Sequence, residues 1–226
     1  SNRGPHDGTD LYSRTLASLG ERAIICMSSG NEGDLNMYVT KTLTGTSNTL
    51  KTFIAGNSAE SGYIDIWASD NQPLTVSWVI YDTSTRTSTA LYTTSTSSSG
   101  AFTYIGSGIG YVSNSLFTNN FSGSLALASN LVTTNNRYNV NAIINAEPKS
   151  SNATKLLGLE ITGAAGQVID VYGTNVTFTN NRYVTGSVAG TPAGSINDAA
   201  AASNIISVGS YNTRLTAGCL DGAHYT

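Results

Sequence analysis

A mainly β protein, most of it a two-sheet sandwich of jelly-roll type, is predicted by three observations. From residue 50 onward, apolar and polar residues alternate with the period of two that a half-buried strand requires. Gly, Asn and Ser clusters punctuate these segments and mark out about eight short strands. Almost no helical periodicity interrupts them, and many short strands without helices close most naturally as a sandwich or jelly roll. Composition agrees: charged residues make up 11% of the chain, against roughly 25% in ordinary soluble domains. Ser, Thr, Asn and Gly take their place, which suits a surface of turns. The net charge of −3 carries no Lys/Arg cluster, which excludes the basic stripe of a nucleic-acid footprint. No apolar run reaches the roughly 18–20 residues of a membrane-spanning helix.

In chain order, Leu11, Leu16 and Leu19 recur at helical spacing, with Asp10 or Thr9 as the N-cap and Gly20 as the stop. Residues 23–27 form a continuous apolar run, as expected of a strand covered on both faces in a parallel sheet. Cys26 within it reads as a buried packing thiol, the alternative being a disulfide with Cys219. Strands are then expected around 53–54, 63–67, 74–80 and 138–144. Further strands are expected at 157–161, 167–172, 175–179 and 183–188. The Thr/Ser-rich stretch 83–100 reads as a polar hairpin or loop. Trp67 and Trp78 sit at alternating strand positions and are expected in core or interface packing rather than on a sugar-binding platform.

The run 23–27 ends in Ser29-Gly30-Asn31-Glu32-Gly33. An apolar strand stopping at Ser-Gly-Asn-x-Gly resembles the oxyanion-hole strand of the subtilisin-like serine proteases, the subtilases. Upstream, Gly4-Pro5-His6-Asp7-Gly8 resembles the loop that precedes that strand in one branch of the family. Downstream, residues 194–200 and 204–211 are similar to the family's Ala-rich helix and the strand ahead of its catalytic serine. The resemblance implies that residues 1–35 and 191–226 are pieces of a parallel α/β fold. Residues 36–190 would then be a β-sandwich inserted between them.

It further implies a secreted, extracytoplasmic serine endopeptidase acting on a polypeptide substrate. Asn31 would donate to the oxyanion, and Gly4, Met27, Ser28, Ser29 and Gly30 would line the specificity pocket. The Asp, His and Ser of a triad are not identifiable. Neither His6 nor His224 matches the family's histidine motif, and Gly45-Thr46-Ser47 lacks the residues that follow a catalytic serine. The chain alone is therefore expected to be inactive. No cofactor is implied. Calcium is common in the family, but Glu32 and Asp34 fall short of six to eight oxygen ligands. The insert is expected to contact the protease body or another protein. Two other readings stand beside this one. The first is a non-catalytic module, possible in a pseudoprotease, that binds a partner or glycan or regulates access. The second is a free-standing sandwich whose Gly-Asn match is chance.

Overall fold

In the computed structural model, which describes residues 4–46, 48–57, 61–96, 100–107, 109–132, 134–149, 154–209, 217–218 and 224–225, the chain is mainly β. A short helix, α1 (Leu11–Gly20), leads into strand β1 (Cys26–Ser28). The strands that follow are β2 (Tyr38–Thr42), β3 (Thr49–Asn57), β4 (Gly62–Ala68), β5 (Thr75–Asp82), β6 (Thr87–Ser95) and β7 (Thr103–Gly106). A six-residue helix, α2 (Ser115–Asn120), precedes β8 (Phe121–Val132) and β9 (Arg137–Pro148). Then come β10 (Lys155–Thr162), β11 (Val168–Thr174) and β12 (Val176–Thr179). A single 3₁₀ turn, Asp198–Ala201, leads to β13 (Ile206–Val208).

Two antiparallel sheets pack face to face, one in the order β12-β3-β10-β5-β6 and the other β2-β11-β4-β9-β8-β7. The chain passes repeatedly from one sheet to the other, so neighbours within a sheet are mostly distant in sequence. Alternation decides which side chains meet. Ile64, Ile66 and Ala68 of β4 face Val76, Trp78 and Ile80 of β5 across one buried cluster. Each fully buried Leu, Ile, Val or Phe there contributes roughly 1.5–3 kcal/mol. Trp78 is wholly buried, and its indole nitrogen donates to the Ala126 carbonyl of the opposite sheet at 3.1 Å. The sandwich is thus tied by a hydrogen bond as well as by packing.

Outside the sandwich, β1 and β13 pair in parallel with Cys26 opposite Ile206 and Ser28 opposite Val208. The expected parallel pairing is present, but the expected burial is not. Cys26 is exposed, and Ile24 is 86% exposed, because among the described residues no layer covers this two-stranded sheet. Cys219 lies outside the described residues. The Ala-rich segment is one 3₁₀ turn rather than a helix. Ser207 Oγ bonds back to the Ala200 carbonyl, and Asn204 turns the chain at φ 58. Those contacts bring the segment directly into β13 and leave no room for further helical turns.

Gly20 is the last helical residue rather than a left-handed cap. Its requirement is close approach, since a Cβ there would stand 2.1 Å from the Asn204 carbonyl oxygen. Residues 183–188 form turns instead of a strand. Asn181 captures the Tyr183 amide at 2.9 Å and Ser187 Oγ bonds the Asn181 backbone, which closes the chain on itself. Replacing Trp78 with Ala is expected to cost about 3–5 kcal/mol of stability by urea denaturation, from the cavity left between the sheets.

Candidate functional site

The Gly-Asn loop sits one residue beyond the parallel pair. Ser29 extends the ladder by donating its amide to the Val208 carbonyl at 2.9 Å, and its own carbonyl accepts the Asn197 amide at 2.9 Å. Its hydroxyl also reaches the Val208 carbonyl at 3.1 Å. The chain then turns at Gly30, whose φ of 99° is open to glycine and strained for other residues. A Cβ there would also approach Glu32 Oε2 to 2.9 Å.

This turn presents Asn31 to solvent. Glu32 answers it: the Asn31 backbone amide donates to Glu32 Oε2 at 3.1 Å. With its side-chain nitrogen turned toward the same carboxylate, Asn31 also donates to Oε1 at 3.0 Å. An exposed carboxamide at the C-terminal end of a parallel strand is a donor suited to a developing negative oxygen. Here the Glu32 carboxylate occupies that donor. Met27, Ser29 and Gly30 are half-buried around the turn and Ser28 is exposed.

Gly4 packs on Asp198, next to the Asn197 that the turn at Ser29 and Gly30 touches. Its amide donates to Asp65 Oδ2 of β4 at 3.0 Å, and at φ 121° it leaves no space for a Cβ, which would meet the Asp198 carboxyl at 2.4 Å. It lines a cleft with Asp10, Asp65, Trp67, Asn139 and Asp198, to which none of residues 27–31 contributes.

The outer face of the six-stranded sheet is where the two chain ends meet the sandwich, and sequence reasoning did not find this junction. Strand register sets Tyr38, Tyr172, Asp65 and Asn141 in one row across β2, β11, β4 and β9. The half-buried His6 stacks on Tyr172 with ring centroids 4.1 Å apart, and Tyr172 stacks on Tyr38. Tyr172 donates to the Pro5 carbonyl at 3.1 Å and Tyr38 to Asp170 at 2.7 Å. Burial and the adjacent Asp170 push the Tyr38 hydroxyl up to about 12. Arg137, at the start of β9, pairs with Asp7 and donates Nε to the Ala68 carbonyl, while Asn135 donates to Thr9 at 3.1 Å. The β-sandwich and the segments on either side of it are thus in direct contact within this chain. Its signals were single polar residues in loops, which no periodicity marks.

Asp198 is buried in the junction, 2% exposed. Its Oδ1 accepts the His6 amide at 2.9 Å. Its Oδ2 takes the Ser13 hydroxyl at 3.5 Å, and beside it lies the Asp10 carboxyl, which caps α1 by accepting the Tyr12 and Ser13 amides. Asp10 Oδ2 is buried without a hydrogen-bond partner, so its charge is poorly screened next to Asp198. Burial, followed by the charge of Asp10, raises Asp198 to about 7, against the opposing pull of the His6 amide.

No family model matches the chain, and no curated protein matches it. A solved structure of the CspB protease of Clostridium perfringens is similar in fold, with a TM-score of 0.52 at 16% identity. The likeness covers 92% of this chain and 39% of that one, so the chain spans well under half the length of its structural neighbour.

The raised Asp198 has a definite sign. The folded state holds a proton that the unfolded state, with an ordinary Asp value near 4, releases. Its contribution to stability is therefore present at acidic pH and falls as pH rises toward about 7, levelling above it. Denaturation of wild type and Asp198→Asn at a series of pH values should show the variant gaining relative stability between about pH 4 and 7. A difference independent of pH would mean that the carboxyl is not held neutral.

Proposed function

We propose that this chain is part of a subtilisin-like serine endopeptidase with Asn31 as an oxyanion donor. In this reading Met27, Ser28, Ser29, Gly30 and Gly4 contribute to the walls of the substrate pocket. The observation that carries the reading is the position of Asn31, at the turn directly after a parallel strand whose partner is β13. The fold likeness to a protease structure supports it. The substrate is a polypeptide and the location extracytoplasmic. Residues 36–190 are an insert within the protease body formed by residues 1–35, residues 191–226 and chain beyond them. The triad is supplied from outside this chain. A serine would attack the scissile carbonyl, a histidine would move the proton, and Asn31 with a backbone amide would hold the oxyanion.

A second reading, a non-catalytic regulatory or binding module, is favoured by one specific contact. The Glu32 carboxylate holds the Asn31 amide, and the amide must leave it before it can serve an oxyanion. Peptide turnover by the intact protein separates the two. Asn31→Ala should lower kcat by about 10²–10³ with KM little changed, the loss typical of one oxyanion donor. The 226-residue chain alone should show no turnover. An intact protein with no turnover at all would favour the regulatory reading.

A further inference from the structure

Cations that are far apart in the sequence gather around the turn at 181–187. Arg182 lies in that turn, and Arg86 closes the hairpin between β5 and β6. The Arg86 guanidinium stands 5.1 Å from the centre of the Tyr183 ring and that of Arg182 at 4.7 Å. Lys51 of β3 bridges to Ser187, and the Lys41 ammonium of β2 comes within 4.0 Å of the place a Cβ would take on Gly186. Burial, followed by the charge of Lys51, lowers the Lys41 ammonium below its ordinary value, as expected of cations held together.

The acids nearby are already engaged. Glu160 pairs with Lys51 at 3.5 Å and accepts from Ser88, while Asp82 pairs with Lys155 and accepts from Ser84. Among the described residues, no carboxylate pairs with Arg86 or Arg182. A chain of net charge −3 thus carries two exposed guanidiniums on one ring without a counter-charge. Arg86 also has φ 58, the left-handed region where Gly or Asn is usual. A side chain kept against its backbone preference calls for a use.

The chemistry on offer is donation. A guanidinium has five N–H donors and no acceptor, and the Tyr183 hydroxyl, which accepts from Arg182 at 2.6 Å, has its own proton to give. The fitting partner is therefore an anion. Each exposed ion pair contributes little, so a single small ion is poorly held and the anion must present several charges. Single-stranded nucleic acid needs a free aromatic face for its bases, and both guanidiniums already lie on that of Tyr183. A membrane surface needs exposed apolar side chains to insert, and within the turn and the hairpin loop only Tyr183 is a large exposed one. A polypeptide with several carboxylates meets these conditions, because a planar carboxylate matches the guanidinium fork. We propose that the surface around Arg86, Tyr183 and Arg182 docks an acidic polypeptide segment, whose carboxylates pair with the two guanidiniums. This surface does not involve Asn31, and its role does not depend on the intact protein being a peptidase.

The test is a fluorescence-anisotropy titration of labelled hexaglutamate with the intact protein. Hexaglutamate should bind, and more weakly as salt is raised. Arg86→Asn, which suits the left-handed turn, and Arg182→Gln should each weaken binding about two- to fivefold and together about tenfold, with near-ultraviolet circular dichroism unchanged. Arg22→Gln, beside β1, should leave binding as it is. An equal loss in Arg22→Gln would overturn the proposal, since the response would be to net charge alone. So would the absence of binding at low salt. Tighter binding of a dodecathymidine strand or of phosphatidylserine vesicles in the same buffer would also overturn it and assign the surface to a nucleic acid or a membrane.

Discussion

Burial of the Asp198 carboxyl is the constraint on which the joining of this chain depends. The residue comes from the downstream segment, takes the His6 amide of the upstream segment and lies against the carboxyl that caps α1. It also sets the space that only Gly4 can occupy, and Gly4 in turn hands its amide to Asp65 of the sandwich. Three parts of the chain far apart in sequence therefore converge on one carboxyl. An isolated buried charge there would be costly. The arrangement persists because the carboxyl can be neutral and because each of its oxygens has a partner.

The same junction explains why the parallel pair is formed at all. A two-stranded parallel sheet with exposed apolar faces has little packing of its own. The pair is held from its edges instead: the Asn197 amide on Ser29, Ser207 on Ala200, and the Asn204 carbonyl pressed against Gly20. These contacts align the strand end that presents Asn31. They also bring the Glu32 carboxylate onto the Asn31 backbone amide, so both groups belong to one turn.

The sandwich core was legible where burial is one-sided. β4 alternates cleanly because Ile64 and Ile66 face the core while Tyr63 and Asp65 face outward. β8 was hidden because Ala126 and Ala128 are buried on one face while Leu125 and Leu127 are buried on the other, which erases the alternation. β2 and β7 were hidden by polar or short sequences whose strand state comes from the neighbour they pair with, while β6 is the second arm of the hairpin that the 83–100 stretch allowed. The 183–188 error has the opposite cause, since local Asn and Ser side chains outcompeted a strand-like pattern.

By itself the sequence determined the class of fold, the helix that starts just after Thr9-Asp10 and the parallel strand that leads into Gly30-Asn31. These depend on local periodicity, caps and turn residues, which act over a few positions. Only the tertiary structure decided which residues share a site. It stacked His6 on Tyr172, buried Asp198 against Asp10 and left the Trp67 indole without a partner. Those outcomes come from single contacts between residues 60 to 190 positions apart, such as Gly4 with Asp65 and His6 with Asp198. No repeating pattern along the chain records them.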